Sequence, residues 1–271
     1  MNQPNRTTTK TQLAKELGIA RQTLYYHPKQ PVHDEQLKQQ ILTVMTKHPA
    51  YGQRRVALAL QMNKKPVRRV MKLFGLHPRI RRKHPHKPLD HGNAATSIPN
   101  LGYRLCPLKP NVLWAGDFTY FWVDGHFIYL ATVIDVYTRE LVGWHIGNHH
   151  TTDLIQRAFS DAVARRGTIP TIFHSDQGSE YTSQLFMAML TYYDVQPSHS
   201  TKSSPWQNGY QESLYSNFKL EVEADQYPGH GQLIAAIHHQ VHYYNTSRIH
   251  TSLKMAPQQF FQHYVLNNSI T

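Results

Sequence analysis

The sequence predicts an α/β protein in which small all-α modules precede a mixed sheet covered by helices. Three observations indicate this fold class: an uneven charge distribution, two strand-like runs joined by Asp-Gly, and alternating helical and strand-like runs after them. Residues 1–90 hold 19 Lys and Arg against four acids, a net charge of +15, whereas residues 91–271 hold 10 against 13, a net of −3. A basic front joined to a slightly acidic body is typical of a nucleic-acid-binding arm attached to a second module.

Several classes of protein are excluded by what the sequence lacks. The one cysteine, Cys106, allows no internal disulfide and favours a reducing compartment. No apolar stretch suits a signal peptide or a membrane span. The glycine-rich phosphate-binding motifs of ATPases and dinucleotide enzymes are absent, so we expect no nucleotide cofactor. The expected protein is cytoplasmic and nucleoid-associated, and it does not bind a membrane.

Residues 1–30 predict a helix-turn-helix-like segment. Leu13, Ala14 and Leu17 form the apolar face of a short helix, Gly18 breaks it, and a second helix begins at Ala20. An ordinary helical hairpin gives the same pattern. Prolines at positions 28 and 31 mark a break after the segment.

Residues 31–78 predict a basic helical module, and residues 79–110 a basic, proline-rich linker. Helical spacing begins at Glu35, a short helix follows at 56–60, and a third spans 64–74 and ends at Gly75. Its cations suit the phosphates of a DNA groove, although a solvated basic face would show the same charges. The predicted DNA-binding residues of module and linker are Arg54, Arg55, Lys64, Lys65, Arg68, Arg69, Lys72, Arg81 and Arg82.

Residues 111–271 predict the α/β body. Strand-like runs at 112–123 and 126–136 flank Asp124-Gly125, a strong hairpin signal, and a third strand spans 140–147. A helix capped by Thr151 or Thr152, a strand at 171–175, a helix at 184–193 and a strand at 195–198 follow. Helices at 209–222 and 232–244 complete the pattern. This order predicts a ribonuclease-H-like fold with a mixed five-stranded sheet.

Three acids of the body are candidate catalytic residues. Asp117 lies within an apolar strand, where an unpaired charge is costly, and Asp176 follows a strand end, where α/β sheets place their sites. Glu212 lies on a helix stripe opposite the apolar side and alone would be taken for a solvated residue. Together, carboxylates without a thiolate favour Mg²⁺ or Mn²⁺ over zinc. Two such ions, about 3.5–4 Å apart, suit in-line displacement at a phosphodiester.

The sequence also resembles a known family through motifs along nearly its whole length. These are YGQRRVALAL (51–60), VRRVMKLFGL (67–76), VLWAGDFTYF (112–121), YLATVIDVYTRELVGW (129–144), FHSDQGSEYTS (173–183), NGYQESLYSNFKLE (208–221) and YNTSRIHTSLKMAPQQF (244–260). They resemble, in order, the OrfB-type catalytic protein of insertion-sequence-three family transposases, which has a retroviral-integrase-like DDE core. The resemblance implies that Asp117, Asp176 and Glu212 are catalytic metal ligands, since 35 residues separate the last two.

The resemblance assigns further residues around this triad. It implies that Lys219 contacts DNA and that His174 is a near neighbour of the metals, although a strand-end histidine in a structural role fits as well. Asp135 matches a supporting position and is a weaker alternative to Asp117 as a ligand. Arg248 and His250 are typical of the family without a fixed role, and the pattern favours packing for them.

The expected activity is metal-dependent cleavage at the 3′ ends of an insertion sequence, followed by strand transfer into another DNA duplex. We expect two Mg²⁺ ions per site, a homo-oligomer on double-stranded DNA, and an upstream OrfA product or fusion as a partner. Two alternatives remain open: a non-catalytic DNA-binding regulator that keeps the fold, and a ribonuclease-H-like nuclease without strand transfer.

Overall fold

A computed structural model describes residues 9–25, 30–80, 98–103, 105–201 and 209–268. The N-terminal part of the described chain is helical. Its elements are α1 (Lys10–Glu16), a 3-10 helix (Arg21–Tyr25), α2 (Gln30–Lys47), α3 (Gln53–Ala59) and α4 (Lys64–Leu73). Helices α2, α3 and α4 pack around a small apolar core that contains Ile41, Tyr51, Val56, Val67 and Val70. Gly75, with φ of 63°, follows α4, as the sequence predicts, and the side chain of Asn63 caps the start of the helix.

The second half of the chain is built on one five-stranded sheet. Its strands are β1 (Leu113–Val123), β2 (His126–Asp135), β3 (Leu141–Gly147), β4 (Ile172–Ser175) and β5 (Gln196–His199), in the order β3-β2-β1-β4-β5. The first three are antiparallel, whereas β4 runs parallel to β1 and β5 parallel to β4. This is the ribonuclease-H-like arrangement that the sequence predicts.

The hairpin between β1 and β2 forms at the predicted Asp-Gly pair. Asp124 and Gly125 both have positive φ, 48° and 75°, the two left-handed conformations that a type I′ turn requires. The turn sets the register, in which Val123 pairs with His126 and Asp117 with Thr132. The alternation of faces along β1 follows from that register.

Helices cover both faces of the sheet. Helices α5 (Thr152–Arg166) and α6 (Gln184–Tyr192) pack on the face that carries Trp114, and α7 (Gly209–Glu221) and α8 (His230–Thr246) pack on the face that carries Ala115. Helix α9 (Pro257–Asn268) follows. None of the helices in the described ranges is long and apolar enough to cross a bilayer.

Three elements differ from the sequence prediction. In the described part of the N-terminal segment the second helix is a 3-10 helix, Arg21–Tyr25, and Leu17 and Ile19 before it are exposed. Helix α2 begins at Gln30 rather than Glu35, since Pro31 lies in the first turn, where a missing N–H costs nothing. Helix α9 lies beyond the last helix that the sequence delimits, at 232–244, in the part of residues 111–271 for which the sequence predicts only a C-terminal helical extension.

Candidate active site

The sheet register brings Asp117 and Asp176 to one edge. Ala115 of β1 is the parallel partner of His174 of β4, and each aspartate lies two residues further along its chain. Strand β4 ends at Ser175, so Asp176 is exposed at the carboxyl end of the strand, where its Oδ1 accepts the N–H of Gly178 at 3.0 Å. Asp117 is half-buried beside it, and its Oδ1 accepts the N–H of Phe118 at 2.8 Å.

Helix α7 is fixed to the sheet beside Asp117 by two buried polar side chains. The Gln211 amide donates to the carbonyl of Ala115 at 2.6 Å and accepts from Thr132 Oγ1 at 3.0 Å. The Tyr215 hydroxyl donates to the carbonyl of Asp117 at 2.7 Å and lies 2.7 Å from Thr132 Oγ1. These bonds satisfy buried polar groups and fix the rotation of α7 on the strands. As a result, Glu212, next to Gln211, faces the aspartates.

The three carboxylates interact electrostatically. Burial and, after it, the neighbouring carboxylates of Asp176 and Glu212 together raise the pKa of Asp117 from 3.8 to about 7, against the N–H of Phe118, which lowers it. Burial also raises the pKa of Tyr181, whose buried ring lies close enough to Asp117 and Asp176 to be influenced by both. Negative charge therefore accumulates at one point of the sheet edge.

The residues at this edge fit a hard divalent cation. Their donors are carboxylate oxygens, which Mg²⁺ and Mn²⁺ prefer, and within the described ranges no ion pair neutralises any of the three acids. The same ranges contain no group of three His, Cys, Asp or Glu side chains close enough to enclose an ion. The Glu212 side chain is exposed on α7.

The two predicted supporting residues lie differently. His174 is buried next to Asp176, and its Nδ1 lies 2.9 Å from Ser198 Oγ, which also accepts the N–H groups of Leu101 and Gly102. Asp135 is fully buried at the end of β2. Its carboxylate accepts the N–H groups of Asn111, Tyr137 and Thr138, at 2.6, 2.9 and 2.8 Å, and therefore holds the turn after the strand.

Arg248 and His250 lie beside α7, in the segment after α8. Arg248 is 2% exposed, and its guanidinium donates to Glu221 at 2.9 Å and to Asn217 at 2.8 Å, which ties the segment after α8 to α7. The backbone of His250 forms an isolated bridge with Met255. Packing, which the pattern favours, accounts for Arg248.

The predicted DNA-binding residues fall into four groups. Five are exposed on α3 and α4: Arg54, Lys64, Lys65, Arg68 and Lys72. Two make intramolecular contacts, since Arg69 forms a two-point ion pair with Asp34 at 2.8 and 2.5 Å and Arg55 Nε donates to the carbonyl of Ile249 at 3.0 Å. Lys219 lies on α7 with its Nζ 4.7 Å from the ring centre of Tyr120. Arg81 and Arg82 lie outside the described residues.

Gln211, Tyr215 and Thr132 are the site residues that the sequence prediction missed. A signal was available for two of them, because Gln211 lies three residues before Leu214 and Tyr215 lies three residues before Phe218, so both share the buried stripe of α7. Nothing in the sequence of β2 marks Thr132, whose partners are 79 and 83 residues away along the chain.

Comparison with known proteins agrees with this fold. Two family models, each described as an integrase core domain, match residues 107–205 and 193–257. The transposase for insertion sequence element IS904 of Lactococcus lactis is 32% identical over 246 residues, which cover 87% of this chain and 97% of that protein. The transposase for insertion sequence element IS629 of Shigella sonnei is 29% identical over 227 residues, which cover 78% and 76%.

Among solved structures, a chain of the simian T-cell lymphotropic virus intasome in complex with PP2A regulatory subunit B56 gamma matches with a TM-score of 0.52 and 17% identity. The match covers 82% of this chain and 74% of that one. It supports the fold alone. Fold and acidic edge together define an integrase-type core preceded by basic helices. The chain belongs to the transposases of insertion sequences that contain an integrase core domain.

Proposed function

We propose that the chain catalyses metal-dependent cleavage at the 3′ ends of an insertion sequence and transfer of those ends into a second DNA duplex. The observation that carries this proposal is that Asp117 and Asp176 lie side by side with Glu212 facing them, where burial and the neighbouring carboxylates raise the pKa of Asp117 to about 7. The transposase relatives and the integrase core models support it.

Asp117, Asp176 and Glu212 would hold two Mg²⁺ or Mn²⁺ ions. Bound there, the ions would supply charge stabilisation of the attacking and leaving oxygens of the phosphodiester. The chain's own contribution is placement. Parallel pairing of β1 and β4 sets the two aspartates side by side, and the Gln211 and Tyr215 bonds hold α7 so that Glu212 faces them.

The binding of DNA is assigned to exposed cations outside the sheet. Arg54, Lys64, Lys65, Arg68 and Lys72 offer phosphate contacts on the helical module, and Lys219 offers one beside the acidic edge. Arg55, Arg69, Arg81 and Arg82 remain part of the proposed DNA surface from the sequence alone. We propose a homo-oligomer on DNA, in the cytoplasm at the nucleoid, with an upstream OrfA product or fusion as a partner.

The test uses the full chain, DNA duplexes taken from both flanks of its gene, a target duplex and Mg²⁺. Asp176→Asn should abolish both cleaved and joined products while DNA binding persists. In a separate thermal unfolding measurement, Mg²⁺ should raise the Tm of the native chain and leave that of Asp176→Asn unchanged, because a bound ion stabilises only the state that binds it.

The matched control is Asp153→Asn. Asp153 lies in the first turn of α5, where it pairs with Arg157 at 2.8 Å in full solvent contact, and its loss should change product formation less than about twofold. Equal activity of the two variants would refute the assigned ligands. Cleavage without joined product by the native chain would favour the nuclease over the transposase.

A further inference from the structure

A cleft of about 600 Å³ lies on the flank of α7 away from the acidic edge. It is bounded by α3, the turn after β2, the first half of α7 and the segment after α8, and its walls include Arg55, Arg139, Arg248, Tyr103, Tyr210 and His250. Within the described part of the chain, no Asp or Glu lines it. Its size is typical of sites that hold a small molecule or one unit of a polymer.

The three arginines of the cleft have different roles. Arg248 is buried and bonded to Glu221 and Asn217, so it forms a wall. Arg55 uses Nε for the carbonyl of Ile249, which leaves its terminal nitrogens for the cleft. The Arg139 guanidinium lies 4.1 Å from the ring centre of Tyr210, a stacked arrangement that presents a flat, charged platform.

The positive groups are crowded enough to act on one another. Burial and the neighbouring charges of Arg139, Arg55 and Arg248 together lower the pKa of His250 from 6.5 to about 4. Burial and Arg248 likewise lower the pKa of Arg55, against the acid Glu221 and the hydroxyls of Tyr51 and Tyr243. Glu221 forms its ion pair with Arg248, and among the described residues neither Arg55 nor Arg139 forms an ion pair with an acid, so both present positive charge to the cleft.

The backbone at Arg139 adds an independent observation. Its φ of 61° lies in the left-handed region, which costs a residue with a side chain roughly 1 kcal/mol or more and which glycine adopts freely. Its N–H donates to the carbonyl of Asp135 at 2.8 Å, so the turn itself needs no arginine side chain. The side chain that occupies this strained position extends over Tyr210.

We propose that this cleft binds one nucleotide of a DNA strand, with its phosphate on Arg55 and Arg139 and its base on the Arg139–Tyr210 platform. The proposal rests on the proposed function, because it assigns a place to the strand that passes the carboxylates. Tyr210 and Ser213 line the cleft and flank Glu212 on α7, so a strand leaving the acidic edge reaches the cleft around a single helix. Guanidinium planes and aromatic rings are the groups that stack on unpaired bases.

The test measures binding of fluorescein-labelled decathymidylate to the full chain by anisotropy, with EDTA present to prevent cleavage. Arg139→Gln should raise the Kd about tenfold and reduce the slope of log K against log salt by roughly 0.7, the value for one lost phosphate contact on a single strand. Arg157→Gln, which removes an exposed cation of α5 outside the cleft, should leave the Kd within about twofold.

Arg139→Gly separates a binding role from misfolding. Glycine relieves the left-handed strain, so this variant should have a Tm at or above that of the native chain and still lose binding to the same extent as Arg139→Gln. If both Arg139 variants bind decathymidylate as tightly as Arg157→Gln does, the cleft does not bind the DNA strand, and the proposed cleavage and transfer of DNA is unaffected. If the native chain binds neither decathymidylate nor duplex DNA, both proposals fail.

Discussion

Removing the Asp117 carboxylate should stabilise the fold while it abolishes catalysis. The side chain is half-buried among apolar strand residues, and the carboxylates of Asp176 and Glu212 repel its charge. Asparagine is nearly the same shape and keeps an oxygen that can accept the N–H of Phe118. Asp117→Asn therefore removes an unfavourable charge and little else, so its free energy of unfolding should exceed that of the native chain near neutral pH and above.

The magnitude follows from the pKa of Asp117. A carboxyl group whose pKa rises from 3.8 to about 7 on folding lowers the free energy of unfolding of the protein by about 4 kcal/mol, once the group is ionised in both the folded and the unfolded state. Solvent contact of the half-buried group reduces this to roughly 2 kcal/mol. The sign is that of a raised folded pKa: below about pH 4 Asp117 is protonated in both states and contributes nothing unfavourable, and the cost grows as pH rises through about 7.

The measurement is urea unfolding in EDTA, followed by tryptophan fluorescence, at about pH 4 and about pH 8. The two chains should match at the lower pH, and Asp117→Asn should be more stable by about 2 kcal/mol at the higher pH. Asp153→Asn is the control and should be slightly less stable at the higher pH, because it loses a helix-end charge and an exposed ion pair. A variant that is no more stable than the native chain at the higher pH would refute the electrostatic reasoning.

Two further predictions concern the supports of the site. Tyr215→Phe removes a hydroxyl that bonds the Asp117 carbonyl and Thr132 inside the fold, and it should cost about 1–3 kcal/mol in urea unfolding; an unchanged midpoint would show that α7 does not depend on this bond. Gly143→Ala would place a Cβ 2.3 Å from the Ala158 carbonyl oxygen and push α5 away from the sheet, so it should lower the free energy of unfolding by about 1–3 kcal/mol or more. Gly231→Ala in α8 meets nothing within 4 Å and should be neutral or stabilising, and equal effects of the two glycine substitutions would contradict the packing.

The parts of the fold that could be predicted from sequence depend on local chemistry. Asp124-Gly125 forms its hairpin because both residues tolerate positive φ, and Thr151 starts α5 because its hydroxyl accepts the N–H of Leu154. Helix α9 could not be predicted in this way. Its aromatic residues pack on distant partners, with Phe260 against Tyr137 and Phe261 under Arg166, and the segment by itself shows only a weak apolar pattern.

In the candidate site, too, the placements that depend on local pattern could be predicted and those that depend on long-range contacts could not. The register of two parallel strands makes Asp117 and Asp176 neighbours, which a strand assignment can anticipate. The position of Glu212 depends on contacts between residues of α7 and β1 that are about 96 positions apart along the chain. The sequence therefore indicated Glu212 as a site residue only through the family resemblance. In the basic module, a count of charges cannot distinguish Arg68 from Arg69, although the guanidinium of Arg69 is already paired with Asp34.

Helix α7 joins these features because successive residues of a helix are rotated by about 100°. Gln211 faces the sheet, Glu212 faces the aspartates and Ser213 faces the basic cleft. A rotation of the helix by one residue would remove all three placements at once. The bonds of Gln211 and Tyr215 to strand carbonyls therefore do more than satisfy buried groups: they fix the angle at which one helix divides an acidic edge from a basic cleft, and with it the path that a DNA strand would take between them.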